Sequence, residues 1–501
     1  MLPQPSLRFY LPENGLAALI KGFSGKLTLN RSLGASVPFI LWDTFDGTLR
    51  LSNRMLLEAS HSFSLISPDG TILQQQAHRS SNFVADFPPG PIKTALIDLS
   101  QLRCLLPQAE GQIEEGRLVL VDDQGKTCAR AHLHVLTTAR GRGALITLQG
   151  LRGYDKALVT LREHLTENSA RPMIEIRDAL FAGQPPYSAK PEVELGPDET
   201  AFDAATQIIA AYLPVLRANE PGIIADYDTE FLHDYRIGLR KIRLILGLFN
   251  GVYRSDRTEA LRIRFAGLMQ ATGPLRDLDV ALLDRASAYA LLPPSLYPGL
   301  DALFAILGQE RLAAHRTLAA LLQTAAYHEE VKSLTNLFHK PRHLSPGKLA
   351  DIPAQVLAQR LIRARHQKIC DLAAKITPET PDTDLHLLRL HLKKLRYLME
   401  FFAHLFPLLP FKTLRKAIKS LQDLLGQFND GSVQQVSLDE FLSRHPAAPV
   451  AMAQSVGALM AVLYGRHGGA RAAALTALQA FTGPEMCATF HSMVSATKEA
   501  S

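Results

Sequence analysis

An internal repeat in the second half of the chain, at a fixed offset of 153 residues, limits what this sequence can fold into more than any other feature. His233, Arg236, Arg240, Lys241 and Arg243 recur as His386, Arg389, Lys393, Lys394 and Arg396 with no insertion between them. The same register carries Leu239 to Leu392, Ile242 to Leu395, Phe249 to Phe402, Arg262 to Arg415, Leu268 to Leu421, Gly273 to Gly426 and Asp277 to Asp430. One offset holding over so many positions means two copies of one helical unit. Each copy reads as a basic helix followed by a helix ending in Gly-x-x-x-Asp, and two such copies imply a pseudo-two-fold arrangement.

On a helix advancing about 100° per residue, His233, Arg236, Arg240 and Arg243 fall on one stripe roughly 15 Å long. Leu239, Ile242, Ile245, Leu246 and Phe249 fall on the opposite face, so the helix turns its apolar side to a core and its cationic side to a groove or solvent. An ordinary surface helix offsets its bases with acids three or four residues away. Arg236, Arg240, Arg243, Arg389 and Lys393 have none at those spacings, and only Arg396 does, with Glu400. Like charges ~4 Å apart repel by ~4 kcal/mol at an effective dielectric of about 20, so a doubled stripe calls for an anionic partner. Within the chain the candidates are Asp277, Asp279 and Asp430; otherwise the partner is a ligand. His233 and His386, at the head of each stripe, add donors that charge as pH falls toward ~6.5. Lys412, Arg415, Lys416 and Lys419 form a further basic face in the second copy, where the first has only Arg262.

The net charge of +6 hides how unevenly charge is placed. Residues 1–190 hold 20 Lys and Arg against 17 Asp and Glu, and residues 191–230 hold one base against nine acids. Residues 231–501 hold 33 bases against 22 acids, and a basic region of this kind points to a polyanionic partner.

A length of 501 residues corresponds to two to four domains, and 47% hydrophobic with 20% charged residues is a globular composition. Residues 1–182 read as a β-rich domain, with runs such as Leu7 to Leu11, Leu118 to Val121 and Ala131 to Val135. Asp122-Asp123-Gln124-Gly125 marks a hairpin. A helical period follows from Tyr154 and again from Met173 to Phe181. Residues 183–199 carry four prolines and read as a linker. Residues 200–485 read as helical, with one copy at about 200–340 and the other at about 353–485. Breaks are expected at Gly273-Pro274, Leu292-Pro-Pro, Pro341 to Pro353 and Pro378 to Pro381. The fold class is therefore α+β and multidomain: an antiparallel, barrel-like sheet domain, then an all-α domain of two related bundles.

Cys104, Cys128, Cys370 and Cys487 form no Cys-x-x-Cys pair, so neither a disulfide framework nor a zinc knuckle is expected, and a reducing compartment is. No uncharged apolar run reaches the ~20 residues of a membrane span, and Pro449 to Tyr464 reads as a buried helix. No basic, apolar leader opens the chain, and the expectation is a cytoplasmic protein without a membrane partner. His132-Leu133-His134 places two imidazoles on one strand face, with no third metal ligand near in sequence. No Ser-His-Asp order, P-loop or dinucleotide fingerprint is present.

The doubled motif resembles the CHAD (conserved histidine α-helical) domain family. The resemblance rests on His233-x-x-Arg236-x-x-x-Arg240-Lys241-x-Arg243 with Leu275-Arg276-Asp277-Leu278-Asp279. In the second copy it rests on Leu385-His386-x-x-Arg389-x-x-x-Lys393-x-x-Arg396-Tyr397 with Leu425-Gly426-x-x-Asn429-Asp430. It implies two similar bundles facing each other across a groove that binds inorganic polyphosphate. His233, Arg236, Arg240, Arg243, His386, Arg389, Lys393 and Arg396 are then the contacts, with Lys241, Arg262, Lys394, Lys412, Arg415 and Lys419 as a secondary basic set. Association with polyphosphate granules is a further expectation. The first half is similar to the CYTH (triphosphate tunnel) family that often precedes CHAD domains in bacterial proteins, through Asp43-Thr44, Leu49-Arg50-Leu51 and Leu151-Arg152-Gly153-Tyr154-Asp155-Lys156.

Active CYTH relatives begin with a Glu-x-Glu-x-Lys strand that holds the metal. Ser6-Leu7-Arg8-Phe9-Tyr10 has none of these residues, and Leu56-Leu57-Glu58-Ala59 stands where Leu-Arg-x-Arg is usual. The expectation is a non-catalytic protein with no cofactor and no metal. One alternative is a metal-dependent triphosphatase using Asp43, Asp46 and Glu58. Another is a nucleic-acid-binding protein, although one Trp and few aromatics among the bases provide no stacking platform.

Overall fold

Residues 8–12, 15–21, 23, 26–68, 71–76, 82–139, 141–168, 171–172, 187–196, 198–377 and 379–495 are described by the structure, a computed structural model. The chain divides into units Met1–Ser188 and Ala189–Ser501. That division falls within the proline-rich residues 183–199, of which 183–186 and 197 lie outside the described residues, as do Ser6, Leu7 and the helix expected over Met173 to Phe181.

Period-two patterning in the first unit forms one antiparallel sheet. Its strands are β1 (Arg8–Pro12), β2 (Thr28–Thr44), β3 (Met55–Ala59), β4 (Ser62–Ile66), β5 (Ile72–Gln76), β6 (Leu105–Val121), β7 (Thr127–Thr138), β8 (Gly141–Gln149) and β9 (Arg171–Pro172), in the order β5-β4-β3-β2-β6-β7-β8-β1-β9. The β6–β7 hairpin turns at Asp122, whose Oδ1 accepts from Gln124 N and Lys126 N, with Gly125 at φ +73° where a side chain would be strained. Four helices accompany the sheet: α1 (Gly15–Lys21), α2 (Thr48–Leu51), α3 (Pro91–Ala95) and α4 (Asp155–Glu167). One apolar cluster packs α1 and α4 on the sheet, and another packs α2 and α3. A third, with Phe39, Leu41, Leu57, Ile66, Ile113, Leu136 and Leu145, consists of strand residues alone, from β2 through β8. The cluster runs from strand to neighbouring strand along one face of the sheet. Among the described pairings the ladder has two ends, β5 and β9.

The second unit is helical: α5 (Ala201–Ala225), α6 (Thr229–Leu248), α7 (Ser255–Ala271), α8 (Gly273–Leu283), α9 (Arg285–Leu291), α10 (Tyr297–Leu322), α11 (Ala325–His339), α12 (Ala354–Ala373), α13 (Asp382–Phe401), α14 (Leu408–Arg444), α15 (Val450–Phe481) and α16 (Pro484–Ser495). The starts of α5, α6, α7 and α10 reappear, 153 residues on, as the starts of α12, α13, α14 and α15. Thr200 Oγ1 caps α5 through Asp203 N, and Asp228 caps α6 through Glu230 N, whereas Pro353 and Pro381 precede the matching helices.

Residues that match by the repeat also meet in space. Thr200 pairs with Pro353 in an antiparallel bridge, Ala201 N donates to Ile352 O (2.7 Å), and Ala354 N donates to Glu199 O (2.6 Å). Phe249 stacks on Phe402 with centroids 5.5 Å apart. A residue touches its own equivalent only beside a two-fold axis, so these contacts trace one through the unit.

Three expectations need correction. Gly-x-x-x-Asp ends a helix in neither copy: Gly273 opens α8 with Asp277 inside it, and α14 runs through Gly426 and Asp430 to Arg444. In the first copy Pro274, which lacks an N–H, separates α7 from α8; Gln427 takes its place in the second. The helix at 450–464 is buried along one face only, with Val450 and Tyr464 each 74% exposed. The second copy extends to Ser495, past the expected end at 485. Among the described residues no helix is long and apolar enough to cross a membrane.

Candidate anion-binding groove

Core packing sets the direction of both basic helices. Leu239, Ile242, Ile245 and Leu246 of α6 are buried, as are Leu385, Leu388, Leu392, Leu395 and Leu398 of α13. The opposite faces must then carry the cations. Arg240, Arg243 and His386 are exposed, while His233, Arg236, Arg389, Lys393 and Arg396 are half-buried.

Arg240 and Lys393 are equivalent residues, and they lie within electrostatic reach of each other. Burial, followed by Arg389, Arg240 and Arg396, holds the Lys393 ammonium down to about 8, with Asp430 alone opposing them. The centres of the two stripes therefore converge on a single positive focus supplied by both copies. Arg236 is disfavoured in its charged form by burial, then by Arg240 and Arg276, with Asp277 in support. Asp277 beside Arg236 and Asp430 beside Arg389 repeat the same relation in the two copies.

Compensation within the protein is partial. Arg389 Nη2 is 3.3 Å from Asp430 Oδ1, and Arg396 Nε is 3.7 Å from Glu400 Oε1. Arg236 Nη1 donates to Thr272 Oγ1 (2.7 Å), a neutral partner. His386 Nδ1 donates to Asn429 Oδ1 (2.5 Å). Arg240 and Arg243 make no hydrogen bond or ion pair among the described residues. Asp279, expected as an internal counter-ion, is taken by Arg311 Nε at 2.9 Å, and the same guanidinium binds Asp226. Arg240, Arg243 and Arg262 line a pocket of about 550 Å³ between α6 and α7, with Glu259 its carboxylate, 3.5 Å from Arg262.

The secondary basic set does not stay together. Lys241 is a correction: it is buried, its Nζ is paired with Glu400, and it lies 4.3 Å from the Tyr397 ring centroid and 4.9 Å from that of Phe401. Burial pulls its ammonium below the ordinary lysine range, and Glu400 works against that shift. At the position matching Glu400 the first copy has Gly247, so Lys394, the equivalent of Lys241, finds no such partner. It lies instead near Arg365, which also hydrogen-bonds His391 (2.7 Å). Lys412, Arg415, Lys416 and Lys419 are exposed on α14. Sequence reasoning placed Arg276 in the motif but not among the contacts; it acts on Arg236, and its buried Nη1 has no hydrogen-bond partner. Its position, matching Asn429, was the available signal.

The carboxylates named for metal chemistry in the first unit are engaged locally. Asp43 is buried and accepts from Thr44 N, Leu49 N and Arg50 N at 2.7–2.9 Å, tying down the start of α2. Burial pushes its carboxyl up to about 6. Asp46 accepts from the Thr44 and Thr48 hydroxyls, and Glu58 from Trp42 Nε1 (2.8 Å). The cluster formed by strand residues alone is apolar. His132 and His134 share a face of β7, and His134 Nε2 is 3.9 Å from Glu115 Oε1.

A family model described as the CHAD domain matches residues 207–439. Among solved structures, the CHAD domain from the plant Ricinus communis is 25% identical, covering 60% of this chain and 97% of its own, with a TM-score of 0.49. PptA from Streptomyces chartreusis is 18% identical, covering 56% of this chain and 100% of its own, with a TM-score of 0.45. No curated protein matches the chain.

Proposed function

Residues 207–439 form a CHAD domain, and from that premise we propose that the chain binds inorganic polyphosphate, without catalysis, in the groove between α6 and α13. The reading rests above all on Arg240 and Lys393, one from each copy, lying within electrostatic reach of each other, with Asp430 opposing the crowding of charge at Lys393. A folded chain gains nothing from crowding like charges there, and a bound polyanion relieves the repulsion. His233, Arg236, Arg243, His386, Arg389 and Arg396 extend the contact along each helix, with Arg276 and Arg262 at its edges. Guanidinium forks suit phosphate oxygens, which recur along a polyphosphate chain as the cations recur along the stripes.

Two observations weigh against the other readings. Tyr397 and Phe401, on the second basic helix itself, are buried and so present no ring for stacking a base. Asp43, Asp46 and Glu58 are held by backbone and side-chain donors of their own unit, which argues against a metal-dependent triphosphatase. Location on polyphosphate granules is part of the same proposal. Calorimetric titration with long-chain polyphosphate, with heparin of equal charge and with single-stranded RNA tests it. Preference for polyphosphate is expected. Equal affinity for heparin overturns it, and release of phosphate from tripolyphosphate with Mg²⁺ or Mn²⁺ shifts the assignment to hydrolysis.

A further inference from the structure

Two cysteines that are 117 residues apart in sequence meet in the second copy. Cys370 of α12 and Cys487 of α16 stand with His366 so that one donor atom from each lies within 4.8 Å of the other two. His366 is one turn before Cys370 on the same helix face, and Cys370 Sγ is 3.8 Å from His366 Nδ1 and 3.9 Å from Nε2. The imidazole is 5% exposed and stacked on Phe490, with centroids 3.7 Å apart and planes 10° from parallel, which fixes where the ring sits. His491 follows Cys487 by one turn, and its Nδ1 is 2.7 Å from Cys487 O, which leaves Nε2 free.

We propose that His366, Cys370 and Cys487 bind a soft divalent transition-metal ion of the zinc class, with a fourth coordination position open to His491 or solvent. With metal–ligand bonds of ~2.0–2.3 Å, donors at the corners of a tetrahedron stand about 3.5–3.8 Å apart. The observed triangle closes to that size by side-chain rotation of roughly an ångström. Two sulfurs and an imidazole are the donor set that favours zinc over magnesium or calcium. Binding replaces each S–H bond with an S–metal bond and releases one proton per thiol to solvent.

Comparison with the first copy shows what the second has changed. Helix starts match Leu213 and Arg217 to His366 and Cys370, while α11 begins 159 residues before α16, which matches His328 to Cys487. Leu213 is a core residue, and Arg217 Nη1 is 3.3 Å from His328 Nδ1. The first copy therefore fills this place without sulfur, and the second has put two thiols and an imidazole there. The inference is independent of polyphosphate binding.

The full-length, reduced and chelator-stripped protein is titrated with Co²⁺ and then Zn²⁺. One equivalent of Co²⁺ is expected, with a thiolate-to-cobalt charge-transfer band and the intense visible bands of a tetrahedral site, both displaced by Zn²⁺. Cys370→Ser and Cys487→Leu should each weaken the charge-transfer band, and the double variant should abolish it. His366→Leu, which installs the residue of the first copy, should keep the helical circular dichroism and weaken Zn²⁺ by at least the roughly 10–100-fold lost with outer-shell partners. Zn²⁺ should raise the melting temperature of the wild type and not of Cys487→Leu. The proposal fails if the wild type binds no Co²⁺, if the band survives in the double variant Cys370→Ser/Cys487→Leu, or if Cys370 and Cys487 form a disulfide in glutathione buffer.

Discussion

Raising the pH from 7 to 9 should weaken polyphosphate binding through Lys393. Its ammonium is held at about 8 rather than the ordinary 10.5, by burial and then by Arg389, Arg240 and Arg396 against Asp430. A polyanion seated on that focus restores the charged form. Below pH 8 the group is protonated with or without ligand, and its contribution to binding is complete. Above pH 8 the empty groove has lost the proton and binding must take it back, so affinity falls toward the bound pKa. At pH 9 about nine-tenths of the free groups are neutral, which corresponds to a loss of about tenfold, or ~1.4 kcal/mol, relative to pH 7. Partial solvent contact at Lys393 makes that an upper bound. Calorimetry at constant ionic strength in two buffers of different ionisation enthalpy measures both the affinity and the proton uptake, which should approach one per groove at pH 9. Lys393→Met should bind more weakly at pH 7 and show no slope. A flat wild-type profile, or an equal slope in Lys393→Met, refutes the reasoning.

Replacing Arg240 and Arg389 together with Ala should lower the slope of log affinity against log salt by about two, one per phosphate contact, with circular dichroism unchanged; an unchanged slope removes them from the contact set. Glu400→Ala leaves the buried Lys241 unpaired and should cost on the order of 2–3 kcal/mol in urea unfolding, less than the ~3–5 of a fully buried pair because Glu400 keeps some solvent. Lys241→Met should be nearly neutral, and the opposite order would contradict the pairing. Gly299→Ala would place a methyl inside contact distance of Ala451 O, where α10 approaches α15, and should cost about 1–3 kcal/mol. An unshifted urea midpoint would mean the two helices do not approach this closely.

The sequence exposed the repeat because matched residues share one offset, and the starts of α5, α6, α7 and α10 follow it residue for residue. Amphipathic spacing also separated Leu239 and Ile242 from Arg236 and Arg240, since a helix turns by a fixed angle. The fate of Lys241 was not legible. One residue from Arg240, it projects between the stripe and the core, and its burial depends on Glu400, 159 residues away in the other copy. Asp279 was lost to Arg311 in the same way, through a long-range contact. Helix continuity at Gly426 turned on a single residue, Gln427 in place of Pro274. The Cys370/Cys487 pair had no local signature because its ligands arrive on two helices from opposite ends of the second copy.

The two-fold relation that matches Arg240 to Lys393 also bears on how a guest enters. A groove built from two related halves reads nearly alike from either mouth, and a polyphosphate chain has indistinguishable ends, so it can thread in head-first or tail-first with equal success. A nucleic-acid strand has a 5′ and a 3′ sense and would match one half while opposing the other. Glu400, 3.7 Å from Arg396 and matched by Gly247 in the first copy, breaks that symmetry on one side.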